Sequence, residues 1–93
     1  MAPTRVPGQE ERVRQVLALA EETGEFVQAA RRFLGLARRR GAFTAVEEEL
    51  ADVIITAYVT AAAFDIDIDT VIAHKVDTVL ARGWRENEAG EER

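Results

Sequence analysis

The chain contains no cysteine, so disulfide frameworks, thiolate nucleophiles and zinc–thiolate sites are excluded, and a reducing cytoplasm fits. Histidine is almost as scarce. The single His74 has Val71 three residues before it, so the Glu-x-x-His pairs of di-iron bundles are missing; His74 itself falls opposite its helix's apolar stripe and is expected at the surface. Proline occurs only at Pro3 and Pro7, and with Gly8 these mark residues 1–8 as a flexible arm. The opening MAPTRVPGQ lacks the apolar segment of a signal peptide, and no run approaches the ~18 apolar residues of a membrane span. Basic residues are the minority, 12 Lys and Arg against 17 Asp and Glu for a net charge of −5. That balance argues against nucleic-acid polymers and anionic membranes as partners. A soluble, cytoplasmic protein is expected. At 93 residues it is one domain, near the size at which a single core stabilises only modestly, and a partner chain would help.

What is present is helical periodicity. From Gln9 the apolar residues Val13, Val16, Leu17, Ala20, Val27, Ala30 and Leu34 recur at three and four, which predicts a helix to about Leu34 with these residues as its core face. Glu22 and Glu25 fall on a different strip with Ala18, Ala29 and Leu36, a candidate second contact surface. Gly24, mid-helix, costs about 1 kcal/mol relative to alanine, and its expected compensation is the close approach of another helix. GLARRRG, residues 35–41, is a connection carrying Arg38, Arg39 and Arg40. A second helix starts near Thr44 and is uncharged from Val53 to Phe64. Its large apolar side chains Leu50, Val53, Ile54, Ile55, Tyr58 and Val59 spread around most of its circumference, which predicts burial on nearly all sides. DIDID ends this run, and Asp67 is a good N-cap for a third helix from about Ile68 to Arg82, with Ile68, Ile72, Val76, Val79 and Leu80 as its buried stripe. The polar residues 86–93 are expected to be a disordered tail. No strands or internal repeats stand out. The expected class is all-α: an antiparallel helical hairpin plus a third helix, assembling into a multi-helix bundle by oligomerisation, with residues 9–85 as the domain.

Chemistry enters at Glu49 and Asp52, one turn apart, which share with Thr56 a stripe about 60° wide on the second helix. An antiparallel hairpin pivoting near Ala37 places Glu22 opposite Asp52 and Glu25 opposite Glu49. Four carboxylates facing one another in a partly buried setting repel unless cations join them. All-oxygen ligation favours Mg²⁺, or Mn²⁺, over zinc or copper. Two such ions ~4 Å apart can hold a phosphoryl group and activate a water, so phosphate chemistry is expected. The bland alternatives are a solvated face for Glu22 and Glu25 and, for Glu49 and Asp52, acids favoured by the helix macrodipole. Glu21 and Glu48 are expected to be outer or solvated.

Glu22-Thr-Gly-Glu25 followed by Glu49-Leu-Ala-Asp52, within EETGEF and EEELADV, resembles the ExxE…ExxD signature of the MazG-like, all-α nucleoside triphosphate pyrophosphatases, over about Val13 to Trp84. The resemblance implies hydrolysis of a nucleoside triphosphate between the α and β phosphates to a monophosphate and pyrophosphate, as in the clearing of unwanted nucleotides. It implies that Glu22, Glu25, Glu49 and Asp52 are the catalytic, Mg²⁺-binding residues, and that the chain is a homodimer or homotetramer. Family members often carry a K…N…R series on the last helix that holds phosphates. Here Lys75 and Arg82 match its ends and Val79 stands at the asparagine position, so the candidate phosphate contacts are Lys75, Arg82 and, in the connection, Arg38 to Arg40. Lys75 and Arg82 could equally snorkel from a core face, a run such as Arg38 to Arg40 is more often a solvated turn favourable to a helix C-terminus than a substrate clamp, and Trp84 is expected to pack rather than stack on a base. The second functional reading is a non-catalytic helical oligomer that binds metal or nucleotide.

Overall fold

The computed structural model describes the backbone from residue 8 to 91 and side chains as far as Gly83. The expected arm before Gly8, the side chain of Trp84 and residues 92–93 lie outside the described residues. Three helices make up the fold: α1, Gln9–Phe33; α2, Phe43–Ala63; and α3, Ile68–Glu91, with no strand among the described residues.

Each boundary has a local cause. α1 ends at Gly35, whose φ of 75° is the left-handed conformation that closes a helix. The Leu36 N–H donates back to the Arg31 carbonyl at 2.8 Å and the Gly35 N–H to Arg32 at 3.3 Å, the paired bonds of a Schellman motif. α2 ends the same way without a glycine. Asp65 takes φ 56°, while Ile66 donates to Ala61 at 2.8 Å and Asp65 to Ala62 at 3.1 Å. Asp67 caps α3 as expected, accepting from the Thr70 N–H at 3.3 Å and the Thr70 hydroxyl at 2.9 Å. α3 runs past its expected end at Arg82 and carries the polar segment through Glu91. That segment contains no proline, and its glutamates are good helix formers.

α1 and α2 form the antiparallel hairpin, fastened at both ends. Near the turn, the Phe33 and Phe43 rings lie 5.1 Å apart at 56°, a tilted aromatic pair. At the open end Arg12 reaches across α2. Its Nε–H donates to the Ala63 carbonyl at 3.0 Å, its guanidinium lies 3.7 Å from Asp65, and it sits 5.3 Å above the Phe64 ring. Between them the Thr60 hydroxyl donates to Thr56 at 2.7 Å and lies 3.4 Å from the Gln15 carbonyl of α1.

The faces are assigned differently from the sequence expectation. The face of α1 turned to α2 is mixed: Ala29 is buried, at 8 % exposure, and Ala18, Leu19, Glu22, Phe26 and Ala30 are half-buried, while Glu25 and Leu36 of the expected second strip are exposed. Of the expected core face, Ala30 is half-buried and Val13, Val16, Leu17, Val27 and Leu34 are exposed, Leu17 to 64 %. Two helix backbones approach most closely where side chains are small, and Ala29 and Ala61 are the buried residues of the hairpin. α2 is likewise not covered on all sides within one chain: Ala61 is buried, at 4 %, while Leu50, Ile54, Ile55, Tyr58 and Val59 are exposed. The stripe on α3 is uncovered too, with Ile72, Val76, Val79 and Leu80 all exposed. α3 leaves the hairpin after its first turn, where the Tyr58 hydroxyl donates to Asp69 at 2.9 Å. The radius of gyration is accordingly 18.6 Å, against about 12 Å for a compact chain of this length.

Gly24 also departs from expectation. Nothing lies within 4 Å of the position a Cβ would take there, so no helix of the chain uses the space. Gly24→Ala is expected to raise stability by up to about 1 kcal/mol, seen as a higher midpoint in denaturant at an unchanged slope; destabilisation would mean that another surface packs against Gly24.

Candidate functional site

The hairpin register decides which side chains meet. With the Phe33–Phe43 pair at one end and Arg12 on Ala63 at the other, the middle of α1 lies against the middle of α2, and the acids meet there. One carboxylate oxygen from each of Glu22, Glu25 and Glu49 falls within 4.8 Å of the others. Asp52 lies outside this trio, yet near enough for its charge to act on both Glu22 and Glu49. Glu49 is the seventh residue of α2, beyond the first turn to which the macrodipole's influence is confined. The helix end therefore does not account for the acid at that place.

The electrostatics oppose ionisation. Burial, followed by the charges of Glu25, Asp52 and Glu49, raises the Glu22 carboxyl above its ordinary value of 4.5. Glu49 is raised by burial first, then by Glu25 and Asp52, with a further contribution from a Glu25 hydrogen bond that exists only when one of the two is protonated. One oxygen on each of Glu22 and Glu49, Oε2, is covered from solvent and has no hydrogen-bond partner. Covered carboxylate oxygens without donors are costly. Such atoms, in a donor set made wholly of oxygen, fit a hard divalent cation such as Mg²⁺ or Mn²⁺.

The remaining candidates are distributed unevenly. A cleft of about 450 Å³ opens from Glu25 and Glu49 toward the end of α1 and the connection, bordered by Arg32, Arg39 and Arg40. Arg38 borders a neighbouring cleft with Arg31 and Ala37, which shares Arg32 and Arg39 with the first and is lined by no acid. Lys75 and Arg82 lie on α3, and neither borders the cleft at the acids. Arg82 instead lines an open groove with Asp77 and Thr78. Thr56 is half-buried in the hairpin and Glu21, Glu48 and His74 are exposed, as expected. Sequence reasoning passed over Arg32. Its position in the last turn of α1 is ordinary for a cation, and only the fold-back of the connection reveals what it faces.

The raised carboxyls carry a sign. Between the ordinary value of 4.5 and the raised one, the folded chain binds more protons than the unfolded chain. Stability is therefore lost as pH rises through that window and stays reduced above it. Glu49→Gln is expected to melt higher than the wild type in EDTA near neutral pH, with the difference narrowing as pH falls toward 4.5. Thermal unfolding by circular dichroism at pH 7.5 and pH 5 checks this, and a variant that melts lower near neutrality would contradict it.

The model of the MazG nucleotide pyrophosphohydrolase domain matches residues 11–82. No curated protein and no solved structure matches the chain. The match takes in both acidic pairs, the connection and most of α3, leaving only the two termini outside. The chain belongs to the MazG nucleotide pyrophosphohydrolase domain family.

Proposed function

We propose that this chain is a Mg²⁺-dependent nucleoside triphosphate pyrophosphohydrolase of the cytoplasm, working as a homodimer or homotetramer. The carrying observation is the convergence of the Glu22, Glu25 and Glu49 carboxylates on one hairpin, with the Oε2 atoms of Glu22 and Glu49 covered and unpartnered. Those three and Asp52 are the residues that would hold the metal. Bound there, Mg²⁺ would supply Lewis acidity toward phosphate oxygens and lower the pKa of a water. In the reaction, water oxygen bonds to the α-phosphorus, the bond from that phosphorus to the α–β bridging oxygen breaks, and pyrophosphate leaves with the electron pair. The water gives up its proton to solvent. The contribution of the chain is to fix the carboxylates on two rigid helices, with register set at both ends, so that substrate arrives at a prearranged site.

The expected result with a panel of ribo- and deoxyribonucleoside triphosphates is pyrophosphate, not orthophosphate, released with Mg²⁺ and not with EDTA. Glu49→Gln and Asp52→Asn should each lose at least about 10²-fold in kcat/KM, because even the outer partners of metal ligands cost 10–100-fold, while the helical circular dichroism is retained. Full activity in both variants would exclude the assignment. Val79, at the asparagine position of the phosphate-holding series, favours a second reading, a non-catalytic oligomer that binds Mg²⁺ or nucleotide. It predicts metal-dependent nucleotide binding with no pyrophosphate formed.

What supports the oligomer is the outward row Val13, Val16, Leu17, Val27 and Leu34 and the uncovered side chains of α2 and α3, more apolar surface than a soluble monomer ordinarily presents. Sedimentation is expected to give a dimer or tetramer, and Leu17→Glu to shift it toward the monomer; a monomeric wild type at micromolar concentration would refute this.

A further inference from the structure

We propose that Arg32, Arg39 and Arg40 form an anion clamp that holds the terminal phosphates of the nucleoside triphosphate beside the Glu25–Glu49 end of the acidic cluster. The inference rests on the pyrophosphohydrolase reading and assigns its phosphate subsite to the connection between α1 and α2 rather than to α3.

Three observations carry it. The cleft of about 450 Å³ is lined by all three arginines together with Glu25 and Glu49, and of the three only Arg32 and Arg39 also reach the neighbouring cleft at Arg38. No ion pair or hydrogen bond joins any of the three guanidiniums to a carboxylate among the described residues. Opposite charges lining one cleft without pairing leave arginine donors that no carboxylate occupies, and the guanidinium fork matches phosphate oxygens two at a time. Charge favours such a group: a polyphosphate approaching three carboxylates in a chain of net charge −5 meets repulsion that bound metal and bordering cations would both relieve.

The backbone fixes the arrangement. A Cβ on Gly41 would come within 2.9 Å of the Arg32 Cβ, and the Gly41 N–H donates to the Arg32 carbonyl at 3.3 Å, so glycine lets the connection close against the last turn of α1. Gly35 supplies the left-handed turn, φ 75°, that starts the connection, and the Arg40 guanidinium lies 3.7 Å from the point a Cβ would occupy there, at ordinary contact distance. The ordinary task of a cation at a helix C-terminus is done by Arg31, whose guanidinium donates to the Leu36 carbonyl at 3.3 Å. The other three are left for the cleft. There they would also neutralise the charge that develops on departing pyrophosphate.

The test is calorimetry on the full chain with three probes: an α,β-methylene nucleoside triphosphate with Mg²⁺, inorganic pyrophosphate with Mg²⁺, and Mn²⁺ alone. Arg40→Gln is expected to weaken the triphosphate analogue and pyrophosphate about tenfold, and Arg39→Gln with Arg40→Gln about a hundredfold, the range for hydrogen bonds to charged groups. Mn²⁺ affinity should not fall. Arg31→Gln removes the same charge one helix position away and should leave all three affinities within about twofold. Wild-type affinity in the double variant, or an equal loss in Arg31→Gln, would overturn the clamp while leaving the hydrolase reading intact. A wild type that neither binds the analogue nor releases pyrophosphate would overturn both.

Discussion

Mutual repulsion among carboxylates held at the middle of a helical hairpin is the constraint on which this structure turns. Glu22, Glu25 and Glu49 meet because packing outside the cluster places them together: an aromatic pair near the turn and a three-way anchor by Arg12 at the open end. Burial and like charge raise the Glu22 and Glu49 carboxyls, so the cluster works against the fold that carries it. Such a cluster is destabilising while nothing neutralises it, and helix packing away from it offsets that strain.

The two sides of α1 have separate tasks. Inside the hairpin Ala29 is buried beside half-buried Glu22, Leu19 and Phe26, and the carboxylates come within reach of one another. Val13, Val16, Leu17, Val27 and Leu34 lie outside, uncovered among the described residues. On α2, Ala61 is buried and Val46 and Val53 half-buried, while Leu50, Ile54 and Ile55 are exposed. What α1 and α2 build between them is the site, and what they leave unburied is the surface through which a bundle would be completed.

Much of this was legible beforehand, and the failures share one cause. Helix existence, the N-cap at Asp67 and the meeting of Glu25 with Glu49 followed from periodicity, capping chemistry and the position of the turn. The inner face of α1 did not. Periodicity of large apolar residues shows which face most needs covering, which is not the same as the face that packs within the chain. The compensation expected for Gly24 is missing for the same reason, since nothing among the described residues packs there. In the connection the arginines are visible as a run, but a run does not reveal which members border a cleft with the acids. The close approach of Gly41 to Arg32 brings Arg32, Arg39 and Arg40 to line it, and that is a property of three dimensions.

The junction at Asp65 has a mechanical consequence. A non-glycine residue in the left-handed region costs roughly 1–2 kcal/mol, and here it redirects the chain between a hairpin with fixed ends and a helix of 24 residues. At 1.5 Å per residue that helix is a lever of about 36 Å. A change of about 10° in its departure angle would sweep the far end through about 6 Å while the carboxylates on the hairpin stay still. The direction of α3 thus rests on the turn at Asp65, with the Tyr58–Asp69 hydrogen bond and the Asp65–Arg12 ion pair holding the junction to the hairpin.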